Sequence, residues 1–164
     1  MLNNIEQLSK LINKEIEQLD LGHTPSTLYD PLYYILSLGG KRIRPLLTLM
    51  SYSLYKDDPK EAILPSLAVE VFHNFTLMHD DIMDNAPLRR GNTTVHEKWN
   101  ENVAILSGDV MLIKAYELLM HVPTSKLPQA SRHCDNFQVE QLWSSANRCG
   151  SVPKSRRYFG KLCV

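Results

Sequence analysis

The chain has 164 residues, 43% of them apolar, and 18 basic side chains balance 18 acidic ones. That suffices for one ordinary domain with its own core, and the zero net charge excludes a global field aimed at nucleic acid or a membrane surface. No stretch offers the ~20 apolar residues of a bilayer span, and the first residues lack the regions of a signal peptide, so a cytoplasmic protein without a stable membrane anchor is expected.

Helical periodicity dominates the first part of the chain. Ile5, Leu8, Leu11, Ile12, Ile16 and Leu19 fall at the three-and-four spacing of one buried helix face. A second helix is predicted from about Leu28 to Leu38 and should stop at Gly39-Gly40. Pro45 suits the first turn of a third, reaching about Tyr55, because proline there loses no hydrogen bond. Asp57-Asp58-Pro59 reads as a turn. A fourth helix spans about Glu61 to Asp84, with Pro65 either kinking it or marking its true start, and with Ile63, Leu64, Leu67, Ala68, Val71, Phe72, Phe75 and Met78 on a broad apolar face. Asn85 to Asn92 reads as a loop, followed by a short helix near Thr93 to Trp99 and a long one from about Asn102 to His121. No strand-like alternation and no internal repeat occur, so the class is all-α.

The remainder differs in kind. Residues 1–121 hold 11 basic and 16 acidic side chains, whereas 122–164 hold 7 and 2, show no sustained period, and contain all three cysteines, Cys134, Cys149 and Cys163. An odd number of distant cysteines without a CxxC pair supports neither a disulfide framework nor a zinc site.

The chemistry concentrates in His79-Asp80-Asp81-Ile82-Met83-Asp84. On a helix Asp80 and Asp84 share a face one turn apart, where like charges repel, and at a C-terminus they also meet the negative end of the dipole. Such a cluster needs full solvation or a cation. A solvated acidic helix end is the plain alternative, but Phe72, Phe75, Leu77 and Met78 lead straight into the acids, as in a buried helix whose tip opens into a cavity. A hard ion such as magnesium takes one or two carboxylates and completes its shell with phosphate oxygens.

Two basic segments flank the acids: Gly40-Lys41-Arg42-Ile43-Arg44-Pro45 and Arg89-Arg90-Gly91. Guanidinium groups fork onto phosphate oxygens, lysine adds a point charge, and Gly40 permits close approach of backbone to an anion. Either segment alone reads more readily as a solvated turn. With the acids they describe a cavity for two anions, one bridged through metal and one held directly by cations.

The blocks GGKRIRP, VFHNFTLMHDDIMD, APLRRGNTTVH and ILSGDVMLIKAYE, in this order and spacing, resemble the trans-isoprenyl diphosphate synthases, or polyprenyl synthase family, of the short-chain geranylgeranyl or farnesyl type. The resemblance covers about residues 1–121 and implies the N-terminal half of an antiparallel helical bundle of the isoprenoid synthase type, incomplete here, with 122–164 a tail outside the family. It implies a prenyltransferase of isoprenoid biosynthesis that condenses isopentenyl diphosphate with an allylic diphosphate, uses Mg2+, binds no nucleic acid, and is a homodimer in its full-length parent. Asp80 and Asp84 would bind magnesium with Asp81 in support, and Arg89 would contact the allylic diphosphate. Gly40, Lys41, Arg44, His73 and Arg90 would hold isopentenyl diphosphate. Phe75 and the small Thr76 would set product length from the floor of an apolar tunnel. His73 lies two helical turns before Asp80 on the same face, although a lone histidine in an apolar helix is ordinarily a satisfied core residue. In Ser107-Gly108-Asp109, the glycine would allow close helix contact and Asp109 would orient neighbours rather than bind metal. His23, His96 and His121 show no ligand spacing, and Tyr33, Tyr34 and Trp99 read as packing.

The sequence lacks the family's second aspartate-rich motif. Two alternatives therefore stand beside the enzyme: a diphosphate-binding fragment or partner subunit without turnover, and a class I terpene cyclase. The cyclase takes one diphosphate and has no need of Gly40, Lys41 and Arg44.

Overall fold

The structure, a computed structural model, describes residues 2–56 and 58–121. The expected boundary at residue 122, the tail 122–164 and its cysteines lie outside the described residues. Among the described residues six α-helices follow in chain order: α1 Leu2–Glu17, α2 Ser26–Ser37, α3 Ile43–Ser53, α4 Ile63–Met83, α5 Val95–Lys98 and α6 Glu101–Met120.

Local chemistry explains most of the boundaries. Gly39, with φ +71°, takes the left-handed position after α2, and its N–H bonds Leu36 O at 3.3 Å. Pro45 lies in the first turn of α3, as expected. A short 3₁₀ turn, Pro59–Ala62, precedes α4, so Pro65 marks the start of that helix rather than a kink. Asn100 caps α6, its side-chain oxygen accepting from Val103 N–H at 2.8 Å. Pro31 sits buried inside α2, within the helix expected from Leu28 to Leu38.

The expected loop after α4 carries a small hairpin. Strand β1, Leu88–Arg89, pairs antiparallel with β2, Asn92–Thr93, with Arg89 opposite Asn92. Arg90 and Gly91 form its turn with φ +53° and +80°, the two positive values that a tight I′-type hairpin turn requires. Strands of two residues are too short to show alternation, which is why the sequence reads as loop.

Helix α4 is the hub, packed along α6 and against α3, while α2 lies on α6 and α1 on α3. The main core joins Leu32, Ile35, Val71, Met78, Ala104, Met111 and Ala115, and a second gathers Leu8, Ile12, Leu49 and Ala62. Each fully buried Leu, Ile or Met contributes about 1.5–3 kcal/mol, so α4 is held mainly by its packed face. Of the apolar face expected on α4, Leu67, Ala68, Val71 and Met78 are buried, Phe72 and Phe75 half-buried, and Leu64 exposed. Gly108 on α6 permits the close helix contact, because a Cβ there would land in the His79 imidazole. The same ring lies 3.3 Å from Ile105 O and 4.0 Å from Asp109 Oδ1.

Candidate diphosphate site

Helix α4 ends in a cap that fixes where its acids point. Asp84 is the last residue of the cap and Asn85, with φ +48°, takes the left-handed position after it. Asn85 N–H bonds Ile82 O at 3.2 Å and Ala86 N–H bonds Asp81 O at 2.9 Å, the paired bonds of a Schellman motif. Asp80 and Asp84 share one face, Asp80 half-buried and Asp84 exposed. The Asp80 carboxyl is held above its ordinary 3.8, first by burial, then by the charge of Asp84 and, more weakly, Asp81; Arg89 and His79 pull it back.

The expected trio of acids divides. Asp81 is 3% exposed and faces the hairpin. Both of its carboxylate oxygens accept from Arg89, Nε to Oδ2 and Nη2 to Oδ1, each at 2.7 Å. Among the described residues no group of three or more His, Cys, Asp or Glu could cage a metal by protein ligands alone. Two neighbouring carboxylates that repel each other do fit a magnesium ion that takes its other ligands from water and phosphate.

On the basic side, the hairpin turn brings the two segments together. A Cβ on Gly40 would lie 2.7 Å from Arg90 Nη1 and 2.9 Å from Arg90 Cζ, so the guanidinium packs directly on the bare glycine. Gly40 has φ +146°, which side-chain-bearing residues rarely adopt. Arg90 is shifted downward by burial first and then by the charges of Arg42 and Arg89, with Glu70 opposing. His73 is held down to about 4 by burial, then by Arg44; Glu70 raises it, and Arg90 and Arg89 lower it further. A neutral histidine thus stands among Arg44, Arg89 and Arg90. Lys41 lies exposed on the Gly40 loop. Phe75 meets Phe72 and His79 edge-on, with ring centroids 5.5 and 4.7 Å apart, while buried Thr76 donates its hydroxyl to His73 O at 2.7 Å.

Sequence reasoning missed what holds the basic loop. Arg42, with φ +45°, is buried and pairs with buried Glu70 of α4, Nη1 to Oε1 at 2.5 Å. Its Nη2 donates to Leu36 O at 2.6 Å, and Asn74 Nδ2 donates to both the carbonyl and the carboxylate of Glu70, at 2.8 and 3.2 Å. The available signal was a glutamate between Val69 and Val71 in the middle of an apolar helix, which demands a buried partner.

The sequence profile described as "Polyprenyl synthetase" matches residues 25–149, three quarters of the chain and beyond its last described residue. The chain belongs to the polyprenyl synthetase family. It is 44% identical over 115 residues to a geranylgeranyl pyrophosphate synthase of Geoglobus acetivorans, covering 70% of this chain and 36% of that protein. It is 50% identical over 93 residues to a geranylgeranyl diphosphate synthase of Saccharolobus solfataricus, covering 57% and 28%. A solved geranylgeranyl pyrophosphate synthetase from Geoglobus acetivorans superposes with a TM-score of 0.74 at 38% identity, over 84% of this chain and 47% of that one. This polyprenyl synthetase chain therefore spans about a third of the curated relatives and under half of the solved one. The all-α class agrees with those structures, magnesium dependence is general in the family, and no helix among the described residues is long and apolar enough to cross a membrane.

Proposed function

We propose that this chain carries the first half of the active site of a prenyltransferase that condenses isopentenyl diphosphate with an allylic diphosphate. The observation that carries the reading is the packing of Arg90 on Gly40, which joins the two basic segments, while neighbouring Arg89 acts on Asp80 at the end of α4. Asp80 and Asp84 would hold magnesium, which when bound neutralises the departing diphosphate of the allylic substrate. Arg89 faces that same anion from the hairpin. Arg44, Arg90, Lys41 and the bare backbone at Gly40 would hold the second diphosphate, with neutral His73 donating a hydrogen bond between them. Two anchored diphosphates fix the isopentenyl double bond beside the allylic carbon, so orientation supplies much of the rate. No side-chain nucleophile is needed. Phe75 and Thr76 would set product length, and the full-length parent would be a cytoplasmic homodimer.

The span of the chain favours a second reading, a diphosphate-binding fragment or partner subunit without turnover. Incorporation of radiolabelled isopentenyl diphosphate with a set of allylic partners decides between them. Product formation supports the enzyme; pyrophosphate binding without product supports the fragment; neither, with the chain folded, refutes both.

A further inference from the structure

Helix α4 carries an aromatic stripe beside its acids. Phe72, Phe75 and His79 fall at three-and-four spacing, so their rings line one edge of the helix. The Phe75 ring meets His79 at 4.7 Å and Phe72 at 5.5 Å, each edge-to-face, and Phe72 in turn meets Tyr116 of α6 at 6.5 Å with the ring planes perpendicular. All three separations lie in the ~4.5–7 Å range of favourable ring pairs. At the other end of the stripe, a Cβ on Gly108 of α6 would strike the His79 ring. His79 thus marks one end of an α4–α6 seam and Tyr116 the other. Seven residues of α4, or eight of α6, separate these ends, roughly 10–12 Å at the helical rise. Phe72 and Phe75 pack on the main core yet stay half-buried, and Tyr116 is 45% exposed. An apolar wall therefore descends from the residue preceding Asp80 and ends on a ring supplied by a different helix.

We propose that Tyr116 is a specificity-determining residue, the last ring of a wall that sets how long an alkyl chain lies below a bound diphosphate. The inference rests on the diphosphate reading and on Phe75 as a length-setting residue, and it deepens that reading by moving the stop from one side chain to a stack shared by two helices. Such a stack passes a loss along its length: Phe72 braces Phe75, and Tyr116 braces Phe72. Without the Tyr116 ring, Phe72 can swing toward α6 and Phe75 can follow it, because a packed wall yields where its neighbour has been removed. The far end of the wall then opens while the diphosphate end keeps its groups. Chain-length preference and head-group affinity should therefore depend on different residues.

The test uses the whole chain and calorimetric titration with inorganic pyrophosphate, geranyl diphosphate, farnesyl diphosphate and geranylgeranyl diphosphate in the presence of Mg2+. Each further methylene that finds apolar cover adds about fourfold in affinity. In Tyr116→Ala the ratio of geranylgeranyl to geranyl affinity should rise at least about tenfold, with pyrophosphate affinity within about twofold of the unaltered chain. Tyr116→Phe, which keeps the ring, should hold the original ratio. Met120→Ala, which truncates an exposed apolar side chain elsewhere on α6, should hold it too. An unchanged ratio in Tyr116→Ala, or an equal rise in Met120→Ala, would overturn the inference. Should Tyr116→Ala fail to fold, the unaltered chain decides: geranylgeranyl diphosphate should shift the Tyr116 ring resonances where pyrophosphate alone does not, and an unmoved ring refutes the assignment. If the unaltered chain binds no pyrophosphate, the diphosphate reading itself fails. If pyrophosphate binds and Tyr116→Ala changes nothing, that reading stands and this inference alone falls.

Discussion

Removing Glu70 tests whether the basic loop is held by one buried ion pair. Arg42 and Glu70 side chains are 6% and 4% exposed and meet at 2.5 Å. Glu70→Met leaves a guanidinium inside the protein with Leu36 O, at 2.6 Å, as its remaining bonded acceptor among the described residues. Leaving one charge of a buried pair uncompensated costs about 3–5 kcal/mol, a large part of the 5–15 kcal/mol that stabilises an ordinary domain. Arg42→Met should cost a similar amount, because among the described residues the Glu70 carboxylate then keeps the Asn74 amide, at 3.2 Å. The double variant removes both charges from an apolar setting, so it should be more stable than the sum of the single losses predicts by at least about 2 kcal/mol. Urea unfolding followed by circular dichroism measures the cycle. Pyrophosphate titration of the folded fraction reports the functional consequence, since Arg42 lies between Lys41 and Arg44 and its release frees the loop. Single losses below about 1 kcal/mol, or strictly additive ones, would refute the claim that this pair holds the loop.

Three further outcomes are expected. His73 is held near 4 against an ordinary 6.5, so the unfolded chain binds a proton there that the folded one refuses: stability on this account is full above pH 6.5, falls as pH drops toward 4 and then levels, by less than about 3 kcal/mol once solvent screening has reduced it. His73→Gln should flatten that part of the pH profile measured by urea midpoints, and an unchanged slope would count against a buried neutral histidine. Phe75→Ala in a full-length version should lengthen the prenyl product, read by chromatography of the dephosphorylated alcohols, and an unaltered product would leave Phe75 as packing only. Sizing chromatography should show association of the isolated chain, because Leu47, Leu54, Ile113 and Met120 stand between 55% and 81% exposed, whereas a clean monomer would argue that these faces need no cover.

Where sequence reasoning succeeded, one strong local signal acted alone. The three-and-four spacing located α1 and α4, Gly39 ended α2, and Pro45 opened α3 because each effect is local to a turn of chain. It fell short where long-range charge pairing decided the outcome. Arg42 looks like its neighbours Lys41 and Arg44 in sequence, and only the arrival of Glu70 from α4 draws it into the core. The hairpin was illegible because its turn is Arg90-Gly91 rather than Asn-Gly, with an arginine in a left-handed conformation that packing against Gly40 accompanies. The turning away of Asp81 was within reach of helix geometry alone, since adjacent residues on a helix do not face each other.

These misses belong to one electrostatic arrangement. Two ion pairs within the chain, Arg42–Glu70 and Arg89–Asp81, each bind a base to an acid and fix a loop to α4. What they leave is charge sorted by sign. Asp80 is raised by burial and then by its fellow acids, and Arg90 is lowered by burial and then by its fellow cations. Left to collapse freely, nearby acids and bases would pair and silence one another. Here the Schellman cap orients Asp80 and Asp84 while the hairpin turn seats Arg90 on Gly40. Acids and bases that are only partly offset therefore stay apart instead of pairing with each other. A metal-bound diphosphate satisfies both needs at once, with its cation on the carboxylates and its anion toward the arginines, which is why sorted charge rather than the aspartate motif by itself argues for this ligand.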